Sequence, residues 1–216
     1  MSVSLPNGAL VAIAASYGVP SAMTALTNAN PAVASLAAGH GILVGDVFEI
    51  TSGWSRLTNK VARASVVATN DVTVENVNAL SVGIYPAGGG VGSVRKILSW
   101  TQLSQVLTSA SSGGAQNFLD YQFLESDAAK QIPTFKSAAG LTLSVADDPT
   151  LPGYQLVSDA NDDRLPRAVR ITLPSGAKIF YNAYISIDKT PSLNINQLMA
   201  VAVTLSLTAE PIRYVN

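Results

Sequence analysis

Acid–base chemistry in this chain of 216 residues would have to use a single histidine. That residue, His40, lies in Gly39-His40-Gly41, where both neighbours favour a turn. A serine nucleophile partnered by it would need a G-x-S-x-G elbow, which the sequence lacks. The chain has no cysteine, so thiolate nucleophiles and thiolate metal ligands are excluded too. We therefore predict that His40 is a turn residue with local hydrogen bonds and that the chain is not an enzyme.

Two groups of acidic residues raise the hypotheses of a metal site and of a glycosidase site. Asp159, Asp162 and Asp163 resemble the start of a calcium loop, but the D-x-[DN]-x-[DN]-G pattern and its glutamate at the twelfth position are absent. Glu125 and Asp127 have the residue types of a glycosidase pair, but no aromatic-lined sugar cleft is evident around them. The sequence therefore predicts solvated carboxylates, with no metal and no cofactor.

A glycine cluster at residues 88–93, G-G-G-V-G-S, invites comparison with phosphate-binding loops. No lysine follows at the required spacing, and strand-like sequence follows in place of a helix, so the helix dipole that would hold phosphate is missing. A second small-residue stretch, 109–115, joins the strand-like segment 97–108 to the residues that follow it. Both stretches are predicted to be flexible loops.

Charge is scarce in this chain and nearly balanced. Charged residues make up 12% of it, about half the usual share, while 48% are hydrophobic. A net charge of −1 argues against a protein that grips nucleic acid, and no apolar run approaches the ~20 residues of a membrane span. A surface so poor in charge is expected to be covered in part by other copies of the chain, because interface centres are depleted in charged residues.

The elements that would position any site are mostly strands, because apolar and polar residues alternate at period two along much of the chain. The last predicted strand, about 195–207, carries Val201, Val203 and Leu205 on one face and small uncharged residues on the other. One helix of about two turns is predicted after Asp147 or Asp148, with Pro149 in its first turn. The other predicted strands are 47–50, 61–68, 71–77, 141–145 and the hairpin of 168–173 with 177–187.

The phrases R-I-T-L-P-S-G, F-Y-N-A-Y-I-S and V-A-V-T-L-S-L-T-A-E-P of the C-terminal half resemble the closing segment of the major tail tube protein of long-tailed, non-contractile bacteriophages. The resemblance covers about Arg95 to Tyr214 and rests on element order and short phrases. The phrases N-A-N-P-A-V, G-H-G-I-L-V-G-D-V-F-E-I and W-S-R-L-T-N are similar to small SH3-like β modules of phage structural proteins. This similarity favours a strand at residues 31–38, where local sequence alone fits a helix equally well.

The resemblance implies a mainly β fold: a tail-tube β-sandwich or barrel with one short flanking helix and an N-terminal SH3-like β module. The expected divisions are an N-terminal strand or arm joining the tube core at 1–20, the SH3-like module or insertion at 21–93, and the tail-tube β-sandwich core at 94–216.

In function, the resemblance implies a virion protein that assembles in the host cytoplasm into hexameric rings, stacked as the tail tube. Expected partners are further copies, the tail terminator, tail tip and tape-measure proteins, and double-stranded DNA that passes without specific binding; no membrane partner is expected. Strands around 117–125 and 195–207 are predicted to form the sheet that lines the lumen, with Asp120 and Glu125 facing it. The candidate inter-ring loops, expected to order when rings stack, contain Gly88, Gly89, Gly90, Ser111, Ser112, Gly113 and Gly114.

Two alternatives remain open at this point. One is a receptor- or carbohydrate-binding component of the tail tip, although aromatic residues make up only 6% of the chain and are scattered. The other is a different phage structural part, such as a capsid decoration or head-completion protein. Assembly into long tubes distinguishes the first hypothesis from both.

Overall fold

The computed structural model describes residues 7–215, so the first six residues of the predicted N-terminal arm lie outside it. The described residues form a mainly β fold with one helix, which confirms the predicted fold class. In chain order the elements are β1 Leu10–Tyr17, β2 Ser21–Leu26, β3 Val33–Leu36, β4 Val47–Ser52, β5 Lys60–Ala68, β6 Asp71–Val74, β7 Gly92–Leu103, β8 Val106–Ser112, β9 Gln116–Tyr121, β10 Lys130–Lys136, β11 Gly140–Ala146, α1 Pro152–Asp163, β12 Arg167–Thr172, β13 Lys178–Ile187, β14 Ala200–Leu207 and β15 Ile212–Tyr214.

The first part of the chain closes into a small barrel with the strand order β2-β3-β6-β5-β4-β7. Closure is made by the N-terminal half of β7, which pairs with β4 through Ser93–Lys96 and with β2 through Gly92–Val94. Alternating apolar residues of these strands fill the interior, with Phe48, Ile50 and Trp54 at most 2% exposed. The segment 31–38 contains a strand, β3, as the resemblance predicted.

The second half of β7 belongs to a larger open sheet with the order β7-β1-β12-β13-β14-β11-β8. The barrel covers one face of this sheet over β12 and the first half of β13, where Phe180 and Tyr214 join the barrel core. The helix covers the opposite face, where Val157 and Ala160 pack against the buried residues of β11, β13 and β14. Because β7 is common to both sheets, the predicted boundary near residue 93 falls within a continuous strand.

The helix differs from its prediction in position and length. It begins at Pro152, not near Pro149, and runs for 12 residues to Asp163. Proline suits the first helical position because its missing N–H would have no partner there. Asp148 does not cap the helix; its Oδ1 accepts hydrogen bonds from the N–H and hydroxyl of Thr150 in the preceding turn. Within residues 7–215, no helix is long and apolar enough to cross a membrane.

Two strand predictions also need correction. The last long strand begins at Ala200, not near residue 195, because residues 188–199 form a loop with exposed apolar side chains. Residues 109–112, predicted to be a flexible loop, belong to β8, where each pairs with a residue of β11. Strand β8 is separated from β7 by a tight bend at Gln105, whose φ is 60°.

Strands β9 and β10 pair only with each other among the described strands, and they form a two-stranded hairpin that continues outward from β8 and β11. We call residues 116–136 the arm, and residues 122–129, which join its strands, the arm tip. The rest of residues 7–215 is the body.

Candidate assembly surfaces

One face of the open sheet is covered by neither the barrel nor the helix. It consists of alternate residues of four neighbouring strands, β13, β14, β11 and β8, whose register places them side by side. None of these side chains is charged, and all are exposed or half-exposed. We call this surface the open face; its residues are Tyr184, Ser186, Ala202, Thr204, Ser206, Thr142, Ser144, Thr108, Ala110 and Ser112.

The residues that alternate with the open face point the other way and are buried beneath the helix. Val201, Val203 and Leu205 are at most 1% exposed. Burial of one face explains why the register of β14 is fixed, since a slip of one residue would exchange the two faces. The small, uncharged outer face predicted for this strand is therefore confirmed for residues 200–207.

The open sheet also has unpaired strand edges. Strand β8 is the last strand of the described order, so its outer backbone groups have no strand partner among residues 7–215. On the other side, β12 pairs with β13 only as far as Ala183, which leaves Tyr184–Ile187 without a strand on that edge. There the N–H of Ile187 bonds to the side chain of Asn161. Exposed edges of this kind favour pairing with another chain.

The arm exposes large apolar side chains on both of its faces. Phe135 is 71% exposed, and Leu124 at the tip is fully exposed. A lone two-stranded hairpin is marginally stable in water, and such a surface is typical of a segment that packs against another molecule. This surface was not predicted. A signal for it is present in residues 117–135, where apolar residues do not alternate with polar ones at period two. Its other exposed apolar residues are Phe118, Leu119, Phe123 and Ile132.

A tight turn fixes the root of the arm. Gly113 has a φ of 70°, and a Cβ there would lie 1.8 Å from the carbonyl oxygen of Ala138, so the position requires glycine. Lys136 of β10 forms an exposed ion pair with Glu210 of the body, and this contact lowers the pKa of the Glu210 carboxyl. The arm is therefore attached to the body at its root, while its tip extends away.

The structure separates the residues predicted to share a lumen-lining sheet. Asp120 lies on β9 and Glu125 at the arm tip, whereas β14 belongs to the open sheet. Asp120 accepts a hydrogen bond of 2.8 Å from the Gln131 side chain across the hairpin. The prediction of one sheet formed by both segments is thus wrong, because β9 pairs with β10 instead of β14; whether the two carboxylates face a lumen remains a prediction.

The candidate inter-ring loops lie at two different places. Gly88, Gly89 and Gly90 form a turn before β7 that packs against the barrel, and a Cβ on Gly90 would lie 3.1 Å from the Trp54 ring. Ser111 and Ser112 end β8, while Gly113 and Gly114 form the turn at the arm root. A role in ring stacking remains a prediction for both sets.

The residues considered for chemistry are engaged in local contacts. His40 Nδ1 accepts the N–H of Ile42 at 3.1 Å, and its Nε2 lies 3.0 Å from the carbonyl of Thr69, which confirms a turn histidine. Asp163 pairs with Arg167, and Asp162 lies 3.5 Å from Lys189. Within residues 7–215, no group of three acidic or histidine side chains is close enough together to hold a metal ion.

A buried polar contact that no local sequence pattern indicates joins the barrel to the open sheet. Glu49 of β4 is 6% exposed; its Oε1 accepts a bond of 2.6 Å from Asn182 of β13, and its Oε2 pairs with Arg95 at 2.6 Å. The Arg95 guanidinium stacks on the Tyr17 ring at 3.9 Å. Since Arg95 and Asn182 lie 46 and 133 positions from Glu49, only the tertiary fold brings the three residues together.

A second junction involves a buried tyrosine near the C-terminus. The Tyr214 hydroxyl accepts the N–H of Arg63 at 2.9 Å and lies 3.3 Å from the carbonyl oxygen of Glu75. Burial raises the pKa of Tyr214 to about 12. Arg63 itself is held by two bonds to the Glu75 carboxylate, which raise the pKa of its guanidinium.

Comparisons with known proteins identify a family for the chain. Residues 52–216 match the family model described as phage tail tube protein, TTP. No curated protein matches the chain. Among solved structures, the chain is similar to a chain of the cryo-EM structure of the anti-feeding prophage cap (AFP tube terminating cap), with 18% identity and a TM-score of 0.36 over 50% of this chain and 79% of that one.

Proposed function

Because the chain belongs to the phage tail tube protein family, it is a structural component of a phage tail, and we propose that its copies form stacked hexameric rings that conduct DNA through a long, non-contractile tail. The observation that carries this proposal is the open face. It is a broad, uncharged sheet surface next to unpaired edges, and among residues 7–215 no group of three acidic or histidine side chains competes with it as a functional site.

In this proposal the open face lines the bore. Double-stranded DNA carries one negative charge per ~1.7 Å, and lysine or arginine side chains on the wall would bind its phosphates and release counterions. Serine, threonine and alanine offer no such attraction, so DNA slides past without being held. This assignment keeps the 195–207 strand of the predicted lumen, with residues such as Ala202 and Thr204 facing the DNA, and leaves out Asp120 and Glu125.

Ring closure follows from the unpaired edges. The outer edge of β8 in one copy pairs with residues 184–186 of β13 in the next copy, since the N–H of Ile187 already bonds to Asn161. Backbone hydrogen bonds across this contact would make the sheets of neighbouring copies continuous and would bury the edges that a solitary copy leaves open.

Stacking of rings uses the arm. Its exposed apolar side chains need a partner to be covered, and a hairpin that projects from the sheet is suited to reach a copy in another ring. The turns at 88–90 and 111–114 remain candidates for contacts between rings. At the two ends of the tube, the same surfaces would meet the tail terminator, tail tip and tape-measure proteins.

Electron microscopy of the purified chain tests the assembly. We expect rings or tubes in negative stain, formed by this chain without other components. Dispersed single copies at high concentration would contradict the proposal and favour a tail-tip or head-completion component.

A pair of lysine substitutions tests the bore. Ala202→Lys places a cation on the open face, while the control Gln155→Lys places one on the exposed side of α1, beyond the opposite face of the sheet. Both variants should form tubes, but only Ala202→Lys should reduce infectivity, by ~10-fold or more, when introduced into the phage. Equal infectivity of the two variants would show that the open face does not line the DNA path.

A further inference from the structure

A cleft of about 250 Å³ lies where the barrel meets the open sheet, and it contains two cations without acidic partners. Arg170 of β12 and Lys178 of β13 line it, together with the apolar side chains of Leu98, Trp100 and Phe180. Neither cation takes part in any ion pair formed by the described residues. The cleft thus combines positive charge with an apolar wall.

Arg170 has hydrogen-bonding capacity that the body does not use. Its Nε is buried and has no acceptor within residues 7–215. The guanidinium carbon lies 4.8 Å from the centre of the Trp100 ring, which orients the group, and burial lowers the pKa of Arg170. Because a guanidinium binds carboxylates strongly, the part of Arg170 that lines the cleft is suited to an anionic group from another molecule.

The acidic groups near the cleft are already engaged. Asp46 lines it but pairs with Lys96 at 2.5 Å and accepts the N–H of Leu43 at 2.7 Å. Glu75 is held by Arg63, which also lines the cleft. Arg170 and Lys178 therefore remain the groups available to a carboxylate from another molecule.

The arm tip has the complementary composition. Glu125 and Asp127 are exposed and belong to none of the ion pairs among the described residues, and they flank Ser126 beside the exposed apolar residues Phe123 and Leu124. The six residues of β9 rise ~3.3 Å each, which carries the tip ~20 Å from the arm root. An arm of this length can reach a neighbouring copy.

We propose that the cleft between Arg170 and Lys178 receives the carboxylates of Glu125 and Asp127 from the arm tip of a second copy. Leu124 packs against the apolar wall formed by Leu98 and Trp100. This inference rests on the proposed function and adds to it the partner of the arm and the residues that join the two copies.

Charge reversal tests the contact on both sides. The tip variant carries Glu125→Lys and Asp127→Lys, and the cleft variant carries Lys178→Glu. All three positions are at the surface. Circular dichroism and thermal unfolding of the dispersed chain check that each variant is folded. Asp159→Lys, an exposed carboxylate of the helix, is the control for the tip. The measurement is the lowest protein concentration that yields tubes by sedimentation and negative stain.

We expect the tip variant and the cleft variant each to raise that concentration by ~10-fold or more. The control Asp159→Lys should leave it within ~2-fold. The tip and cleft changes combined in one chain should restore assembly. If the tip variant forms tubes at the same concentration as the unmodified chain, the contact is overturned. Formation of tubes by the unmodified chain would still leave the proposed function intact. Loss of assembly without rescue in the combined variant would also overturn the pairing, and absence of tubes from the unmodified chain would refute the proposed function itself.

Discussion

The body and the arm of this protein are built from strands of similar length but differ in where their apolar residues find partners. In β14 of the body, Val201, Val203 and Leu205 are buried beneath the helix. In the arm every residue of β10 is exposed, including Ile132 and Phe135. Strand β14 therefore buries its apolar face within one chain, and the arm strands do not. Stability of the folded copy and assembly between copies should depend on different residues.

The largest expected difference comes from matched truncations in the two regions. Leu205→Ala removes a fully buried side chain and should lower the free energy of unfolding by about 2–5 kcal/mol. Phe135→Ala removes a larger side chain that is mostly exposed, and it should change the free energy of unfolding by less than ~0.5 kcal/mol. Denaturant unfolding of the dispersed chain measures both. Similar losses at the two positions would mean that the arm is part of the folded core.

A smaller effect is expected at the polar junction inside the body. Glu49→Ala leaves Asn182 and Arg95 without their acceptor and should cost about 2–3 kcal/mol, because a buried donor remains unpaired and Arg95 is partly solvated. Glu49→Gln retains an oxygen that can accept from Asn182, so its loss should be smaller. As the arm counterpart, Asp120→Ala should be nearly neutral in the same unfolding measurement, and a loss there equal to that of Glu49→Ala would contradict the comparison.

Among the substitutions inside the body, the smallest change at neutral pH is expected for Tyr214→Phe, at about 1 kcal/mol, because the N–H of Arg63 loses its acceptor. This residue also gives the body a pH dependence. The pKa of Tyr214 is about 12 in the folded chain and ~10 in an unfolded one, so its stabilising contribution is complete below pH ~10 and is lost as the pH rises through ~12.

Unfolding experiments between pH 9 and 12 on the original chain and on Tyr214→Phe isolate this contribution. The original chain should lose stability more steeply than the variant over that range. Identical slopes would mean that the hydroxyl is not buried as described.

Period-two alternation predicted most of the body because most of its strands bury one face in the chain itself. Strands β4, β5, β11, β12 and β13 lie within two residues of their predicted ends. The pattern was uninformative where the contact partner is distant in sequence, or where none of the described residues covers the segment. Glu49 and Asn182 gave no local signal of their contact, and the arm has no alternation because neither of its faces is covered. At its tip, Glu125 and Asp127 were considered as a glycosidase pair and Glu125 was predicted to face the lumen, but a contact with another copy was not predicted.

Strand β7 has a mechanical consequence for a protein of this architecture. Its 12 residues run without interruption from the barrel into the open sheet, so the same backbone carries hydrogen bonds in both. Tension applied to one half is transmitted along the strand to the other half and is not absorbed by a flexible linker. The two hydrophobic clusters should consequently unfold together under mechanical force, as one rigid unit and not as two independent domains.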